Sequence, residues 1–268
     1  MKGREQLSKR KIISVILISA GIGILLFVVG SYVFNSIKVS IESNNFDSLA
    51  STIVTTEETA TNSSDSSDET QASDKKQGNN KSPESINNGN VKIDAEGLYK
   101  DCLAYNENLK STQSDKLISE QSYTGSVLDL TKYGIYSNIY GYISAPTIGM
   151  ELPIYLGANE TNMSFGAAQL AYTSLPTGGE STNTVLSGHT GYTGRWLFDD
   201  IPNLAVGDSV TIKNYFGNIT YKVVEKKIKS PEESEDIYIQ KGRDLLTLIT
   251  CVPDRDGDFN RYIVICER

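Results

Sequence analysis

Three side chains in this sequence have types and surroundings that suit acyl-transfer chemistry. The sole histidine, His189, lies in VLSGHTG, where an apolar run ends and glycines stand on both sides. That context puts an imidazole at a strand end, on a loop that permits close backbone approach. Cys251 follows the apolar run DLLTLIT and precedes Val252 and Pro253. Proline does not continue a central strand, so the thiol is expected at the last position before a loop. Arg261 opens RYIVIC, in which Arg261, Ile263 and Ile265 share one strand face. A charge aligned with apolar residues needs a partner or a task, because burying it alone is costly. A thiol with a free pKa near 8.5 is a weak nucleophile at neutral pH, and a neighbouring base or cation activates it. A guanidinium can also donate to a developing oxyanion. Each residue has a plainer reading as well: His189 as a surface imidazole, Cys251 as a buried core thiol, Arg261 as a solvated strand cap.

The elements that must position these groups are short. From Tyr140 onward, β-prone segments are punctuated by Gly, Pro and Asn, with strands expected at 140–144, 184–187, 209–213, 220–228, 245–250 and 261–266. Several short strands with turn signals between them predict a closed or nearly closed β-barrel. Ahead of it, 94–110 reads as a helix with Asp94 as N-cap and Leu98, Cys102, Tyr105 and Leu109 on one face.

The rest of the 268-residue chain is organised differently. Residues 1–11 form a basic tail with five Lys or Arg against one Glu, and 12–34 carry no charge. At 1.5 Å per residue the second stretch makes about 34 Å of helix, enough for a hydrocarbon core of about 30 Å. It is expected to be a transmembrane anchor, with the tail in the cytoplasm and all that follows outside. Residues 35–90 become a stalk rich in Ser, Thr, Asn, Asp and Glu, too poor in apolar residues to offset the entropy of ordering. Residues 91–268 are then the extracellular domain. The net charge of −8 includes the basic tail, so the remainder carries about −12. An acidic surface excludes a nucleic-acid binder and a polybasic membrane-binding face. One histidine excludes sites built on several His ligands, and three cysteines exclude a fully paired disulfide scaffold.

TLITC around Cys251, SGHTG around His189 and Arg261 ten residues after the cysteine together resemble the sortases, the cysteine transpeptidases of the Gram-positive cell surface. The similarity runs through GYISAPTIGMELPIYLGA, GAAQLAYTSLPTGG and VLSGHTGYTGRWLFDDIPNLAVGDSV, and is nearest to the pilin-polymerising class C. This resemblance implies an eight-stranded barrel with short helices, on which His189, Cys251 and Arg261 converge at one end. It implies that Cys251 attacks the Thr–Gly bond of an LPXTG-like sorting signal, that His189 moves protons to and from the amines, and that Arg261 holds the substrate backbone or the oxyanion. The acceptor is an amine, a pilin lysine or a peptidoglycan cross-bridge, and no cofactor or metal takes part. Thr190 stands where the family usually carries a basic residue, and 91–139 lacks the Asp-Pro-aromatic tripeptide of a lid. An open, lidless pilin polymerase is the first reading, a general cell-wall anchoring sortase the second, and an anchored adhesin or pilus-stalk module the non-enzymatic alternative.

Other motifs read more plainly. LPTGG at 175–179 has its threonine one place too early for a sorting signal and is a Pro-Gly turn. Asp254, Asp256 and Asp258 open like a calcium loop, but Phe259 and Ile265 occupy the positions that need Gly and Glu, so a solvated acidic loop is expected. Cys102 and Cys266 are small buried hydrophobes, with a disulfide as the alternative. Trp196 and Phe198 are expected to pack beneath the His189 loop.

Overall fold

Apolar runs that alternate across a strand can hide one face only by closing on themselves or packing against a second layer, and this chain does both. The computed structural model describes residues 93–117, 123–192, 195–254 and 256–268, together with N-terminal positions 14, 17–31, 33, 34, 37, 41, 43 and 46. Eight strands, β1 (Gly141–Ala145), β2 (Met150–Leu156), β3 (Ala167–Gln169), β4 (Thr182–Ser187), β5 (Ser209–Asn214), β6 (Gly217–Lys229), β7 (Asp244–Pro253) and β8 (Phe259–Glu267), close in the order β1-β2-β3-β4-β7-β8-β6-β5. Most neighbours are antiparallel; β2–β3 and β4–β7 are parallel.

All six expected strands are present. The sequence reading missed β2 and β3 for physical reasons. Pro153 interrupts β2, yet it lies one residue before pairing with β3 begins at Ile154, where a missing N–H leaves no gap in that ladder. β3 is three residues long and alanine-rich, so it carries almost no propensity signal. β7 also runs two residues past Cys251, through Pro253, so the thiol stands within a strand end that continues to pair with β8.

The barrel's two faces form two cores. Leu246 and Leu248 of β7 and Val264 and Cys266 of β8 join one cluster, while Leu245 and Ile249 and Ile263 and Ile265 join the other. The helix Ala95–Lys116 lies against the outside, capped by Asp94, whose carboxylate accepts from Gly97 N at 2.9 Å. It extends six residues beyond the expected end, where Gln113 is satisfied by the barrel as Asn106 is further back on the same buried face. Asn106 exchanges hydrogen bonds with Leu175, donating to its carbonyl at 3.1 Å and accepting from its N–H at 2.8 Å. Gln113 donates to the Tyr172 carbonyl at 3.1 Å and accepts from Ile239 N at 2.8 Å. Cys102 and Cys266 are both buried and unpaired.

The 175–179 turn is held from several sides. Asn214 donates to the Pro176 carbonyl at 2.7 Å, and buried Asp244 accepts from Gly179 N at 2.9 Å. The same carboxylate accepts from Tyr221 at 3.2 Å and from Arg268 Nε at 2.7 Å. The described residues of 17–34 are helical, with Leu17, Leu26, Phe27 and Phe34 exposed, and no described helix is long and apolar enough to cross a membrane. Of the stretch 35–90, Ile37, Ile41, Ser43 and Phe46 are described, all helical, and Phe46 is buried; its remainder lies outside the described residues.

Asp244→Ala leaves the Tyr221 hydroxyl and the Gly179 N–H without their acceptor, so a loss of about 2–3 kcal/mol is expected. A shift of the urea midpoint at unchanged slope measures it.

Candidate active site

A parallel pair of strands brings the end of one segment beside the end of another with no offset, and this site depends on that. β4 and β7 are paired from Thr182↔Asp244 to Ser187↔Ile249, so His189 and Cys251 each follow two residues after the last paired positions. Three further bonds extend the seam past the ladder. Gly188 N donates to the Ile249 carbonyl at 3.2 Å, Thr250 Oγ1 to the Gly188 carbonyl at 2.7 Å, and Thr190 Oγ1 to the Cys251 carbonyl at 3.0 Å. The two hydroxyls cross in opposite directions, one from each strand. The backbone on either side of His189 is thus tied to the backbone of Cys251 and its neighbour.

β8 supplies the third group. Its antiparallel register sets Arg261 directly opposite Cys251, and Arg261 Nη1 lies 3.0 Å from Cys251 Sγ. Both side chains are partly exposed. They continue the strand faces whose inner members, Ile249, Ile263 and Ile265, are buried, so an apolar floor leads up to a polar, accessible end. Arg261 acts beyond the thiol too. Glu232 is held below the usual carboxylate range by a hydrogen bond from Ser230 first, with the guanidinium of Arg261 among the smaller causes.

The His189 loop is shaped from beneath. A Cβ on Gly188 would fall 2.7 Å from the ring of Phe198, so only glycine lets the backbone ride over that ring. Phe198 is fully buried, as expected, and its N–H donates to the His189 carbonyl at 3.0 Å. Trp196 differs: it is 58% exposed and bonds Asp200 instead of packing below the loop. Asp199 holds the loop's curve by accepting from Gly191 N at 2.7 Å and Leu197 N at 2.9 Å. Above, the His189 imidazole stacks on Tyr192 with centroids 5.7 Å apart and planes 11° off parallel. Arg195 caps the ring of Phe165 at 4.0 Å, tying the loop to the short helix Glu160–Phe165.

All three residues singled out from the sequence therefore lie at the ends of β4, β7 and β8, on one side of the barrel. Residues 143–268 match the family model described as a sortase domain. The structure is similar to that of Streptococcus agalactiae sortase C1, with a TM-score of 0.58 and 30% identity over 65% of this chain and 89% of that one. This chain belongs to the sortase family. It is also similar to Clostridium perfringens sortase C, solved with the C-terminal cell wall sorting motif, at 32% identity, covering 68% of this chain and 92% of that one, with a TM-score of 0.55. Among curated relatives, Bacillus anthracis sortase A is 32% identical over 126 residues, 47% of this chain and 58% of that protein. The chain spans 54–60% of the length of the curated relatives it matches. Sortases are cysteine transpeptidases, which gives the Cys251 neighbourhood its significance.

Sequence reasoning missed the clamp made by Thr190 and Thr250, because a hydroxyl's partner across a parallel seam is 61 or 62 residues away. At the acidic loop, Asp254 Oδ1 accepts from the N–H groups of Asp256 and Asp258, both at 2.9 Å, which makes that loop a side-chain-built turn. The sortase's other thiols are chemically quiet: burial pushes Cys102 up to about 12 despite a hydrogen bond with Tyr140, and burial alone pushes Cys266 up to about 12. Brief iodoacetamide treatment of the folded protein is therefore expected to add one alkyl group, at Cys251, and three after unfolding. Peptide mass mapping reads the sites.

Proposed function

We propose that this chain is a membrane-anchored sortase that cleaves an LPXTG-like sorting signal between Thr and Gly and passes the acyl group to an amine. The observation that most supports this is the 3.0 Å approach of Arg261 Nη1 to Cys251 Sγ on the wall where β4 delivers His189. A guanidinium at that distance is placed to donate to an oxyanion forming on the adjacent carbon. The chemistry divides into two acyl transfers. The Cys251 thiolate adds to the Thr carbonyl, the C–N bond to Gly breaks, and the departing amine takes a proton from the His189 imidazolium. That leaves a thioester on Cys251 and a neutral imidazole. An acceptor amine then adds to the thioester carbonyl and gives a proton to His189; the C–S bond breaks and the thiolate returns.

Pilin polymerisation, with a pilin lysine as the acceptor, is the first reading of the acceptor step, supported by the sortase C structures among the neighbours. Cell-wall anchoring to a peptidoglycan cross-bridge is the second, supported by the sortase A relatives. The charge-free stretch 12–34 after a basic tail supports anchoring in the cell membrane with the catalytic domain outside.

The test uses intact mass of the protein incubated with LPXTG-like peptides, with and without an amine. A gain equal to the peptide's N-terminal fragment, absent in Cys251→Ala, is expected; unaltered cleavage by Cys251→Ala would refute the mechanism. Arg261→Lys keeps the charge but not the planar fork and is expected to lower kcat/KM by about 10²-fold. Thr190→Val removes one clamp bond, the one to the Cys251 carbonyl. It is expected to lower kcat by about tenfold at nearly constant KM, with Thr190→Ser recovering most of the loss.

A further inference from the structure

The outer face of β5–β1–β2 carries aromatic side chains that a barrel wall facing water would not hide. On β1, the register pairs Tyr142 with Pro153 and with Lys213, and Ser144 with Glu151 and with Thr211, so these residues stand on one face. Lys213 and Glu151 there form an exposed-side ion pair at 3.6 Å, which marks the face as the outer one. Yet Tyr142 is 1% exposed and Tyr215, which continues that face past β5, is 3% exposed. What covers them is Phe46, at 5.3 Å from the Tyr142 ring and 4.8 Å from the Tyr215 ring, itself 7% exposed. One helical turn earlier, Ser43 donates to Glu151 at 2.6 Å. The preceding described residues behave oppositely: Phe34 is 68% exposed, Ile37 54% and Ile41 55%. Among the described residues of this stretch, Ser43 and Phe46 are buried against the barrel, and the large apolar side chains before them are exposed.

The other end of the polar segment 47–92 arrives at the same place. Ala95, Glu96 and Tyr99 line a groove with Tyr215 and Phe216, and Tyr99 packs on Phe216 with centroids 4.8 Å apart. Phe46 and Tyr99 thus pack on neighbouring aromatic residues, Tyr215 and Phe216, at the same corner of the barrel.

We infer that the barrel docks directly on the stretch of chain that follows its own anchor, through Phe46 between Tyr142 and Tyr215. The inference rests on the membrane-anchored reading of 12–34. It fixes the orientation of the enzyme: β1 and β7 are four strands apart in an eight-stranded ring, so Cys251 stands on the wall opposite the docking face. The thioester forms at a set height, on the side turned away from the anchor.

The experiment uses the full chain carrying Cys251→Ala, Ser43→Cys and Glu151→Cys, reconstituted in phosphatidylcholine–phosphatidylglycerol vesicles. A short bis-maleimide is added, the segment is cut at Lys75, Lys76 or Lys81 with trypsin, and denaturing gels show whether the two fragments stay joined. Alkaline carbonate extraction is run on the same samples. The docked arrangement predicts joined fragments, at least a tenfold drop with Phe46→Asp, and recovery with Phe46→Leu; circular dichroism confirms that the barrel persists in each. A chain that resists carbonate but gives no link, or a link indifferent to Phe46, overturns the docking and leaves the anchor standing. A chain that carbonate releases overturns the anchor reading, and with it the placement at the membrane, whatever the link shows.

Discussion

The parallel seam between β4 and β7 is the constraint from which the rest of this site follows. Parallel strands cannot be joined by a tight turn, so the chain between Ser187 and Asp244 must travel round the barrel before it returns, building β5 and β6 on the way. The reward of that detour is alignment. Where the β4–β7 pairing ends at Ser187 and Ile249, the stretch around His189 and the stretch around Cys251 set out from the same level. The crossed hydroxyl bonds of Thr190 and Thr250 carry the alignment beyond the ladder, where loops would otherwise diverge. β8 then needs only ordinary antiparallel register to set Arg261 against the thiol.

The three cysteines show how one residue type acquires different chemistry from its surroundings. Cys102 and Cys266 point into the barrel's apolar cluster, where a thiolate would lose its hydration and find no cation. Cys251 stands where the same kind of strand emerges from its apolar floor and meets a guanidinium. Burial silences two thiols while the third stands partly exposed beside a charge, with no need for a distinct sequence signal at the buried pair.

Much of this was legible before the coordinates. The runs around Val185, Leu246 and Val264 announce buried strands because both their faces are covered, and the glycines beside His189 announce a loop with a close neighbour. Other features could not be read from local sequence. β3 has too few residues to show a period, and Pro153 argues against β2 unless its position ahead of the β3 ladder is known. The helix after Asp94 reads short in the sequence because Gln113 looks like a surface residue; only its partners on the barrel loops turn it into a buried one. Phe46 is the same lesson in reverse, an aromatic side chain at the edge of a polar stretch whose burial depends on β1 and β5 nearly a hundred residues and more away.

Chain order adds a temporal consequence to the position of β8. A chain made N-terminus first delivers β4 and β7, and with them His189 and Cys251, before the strand that carries Arg261. β8 inserts between β6 and β7 and is antiparallel to both, so the ring stays open along that seam until it arrives. Until then Cys251 stands beside an unfinished wall, without the guanidinium that lies 3.0 Å from it in the closed barrel. Closure of the barrel and arrival of Arg261 at the thiol are therefore one event.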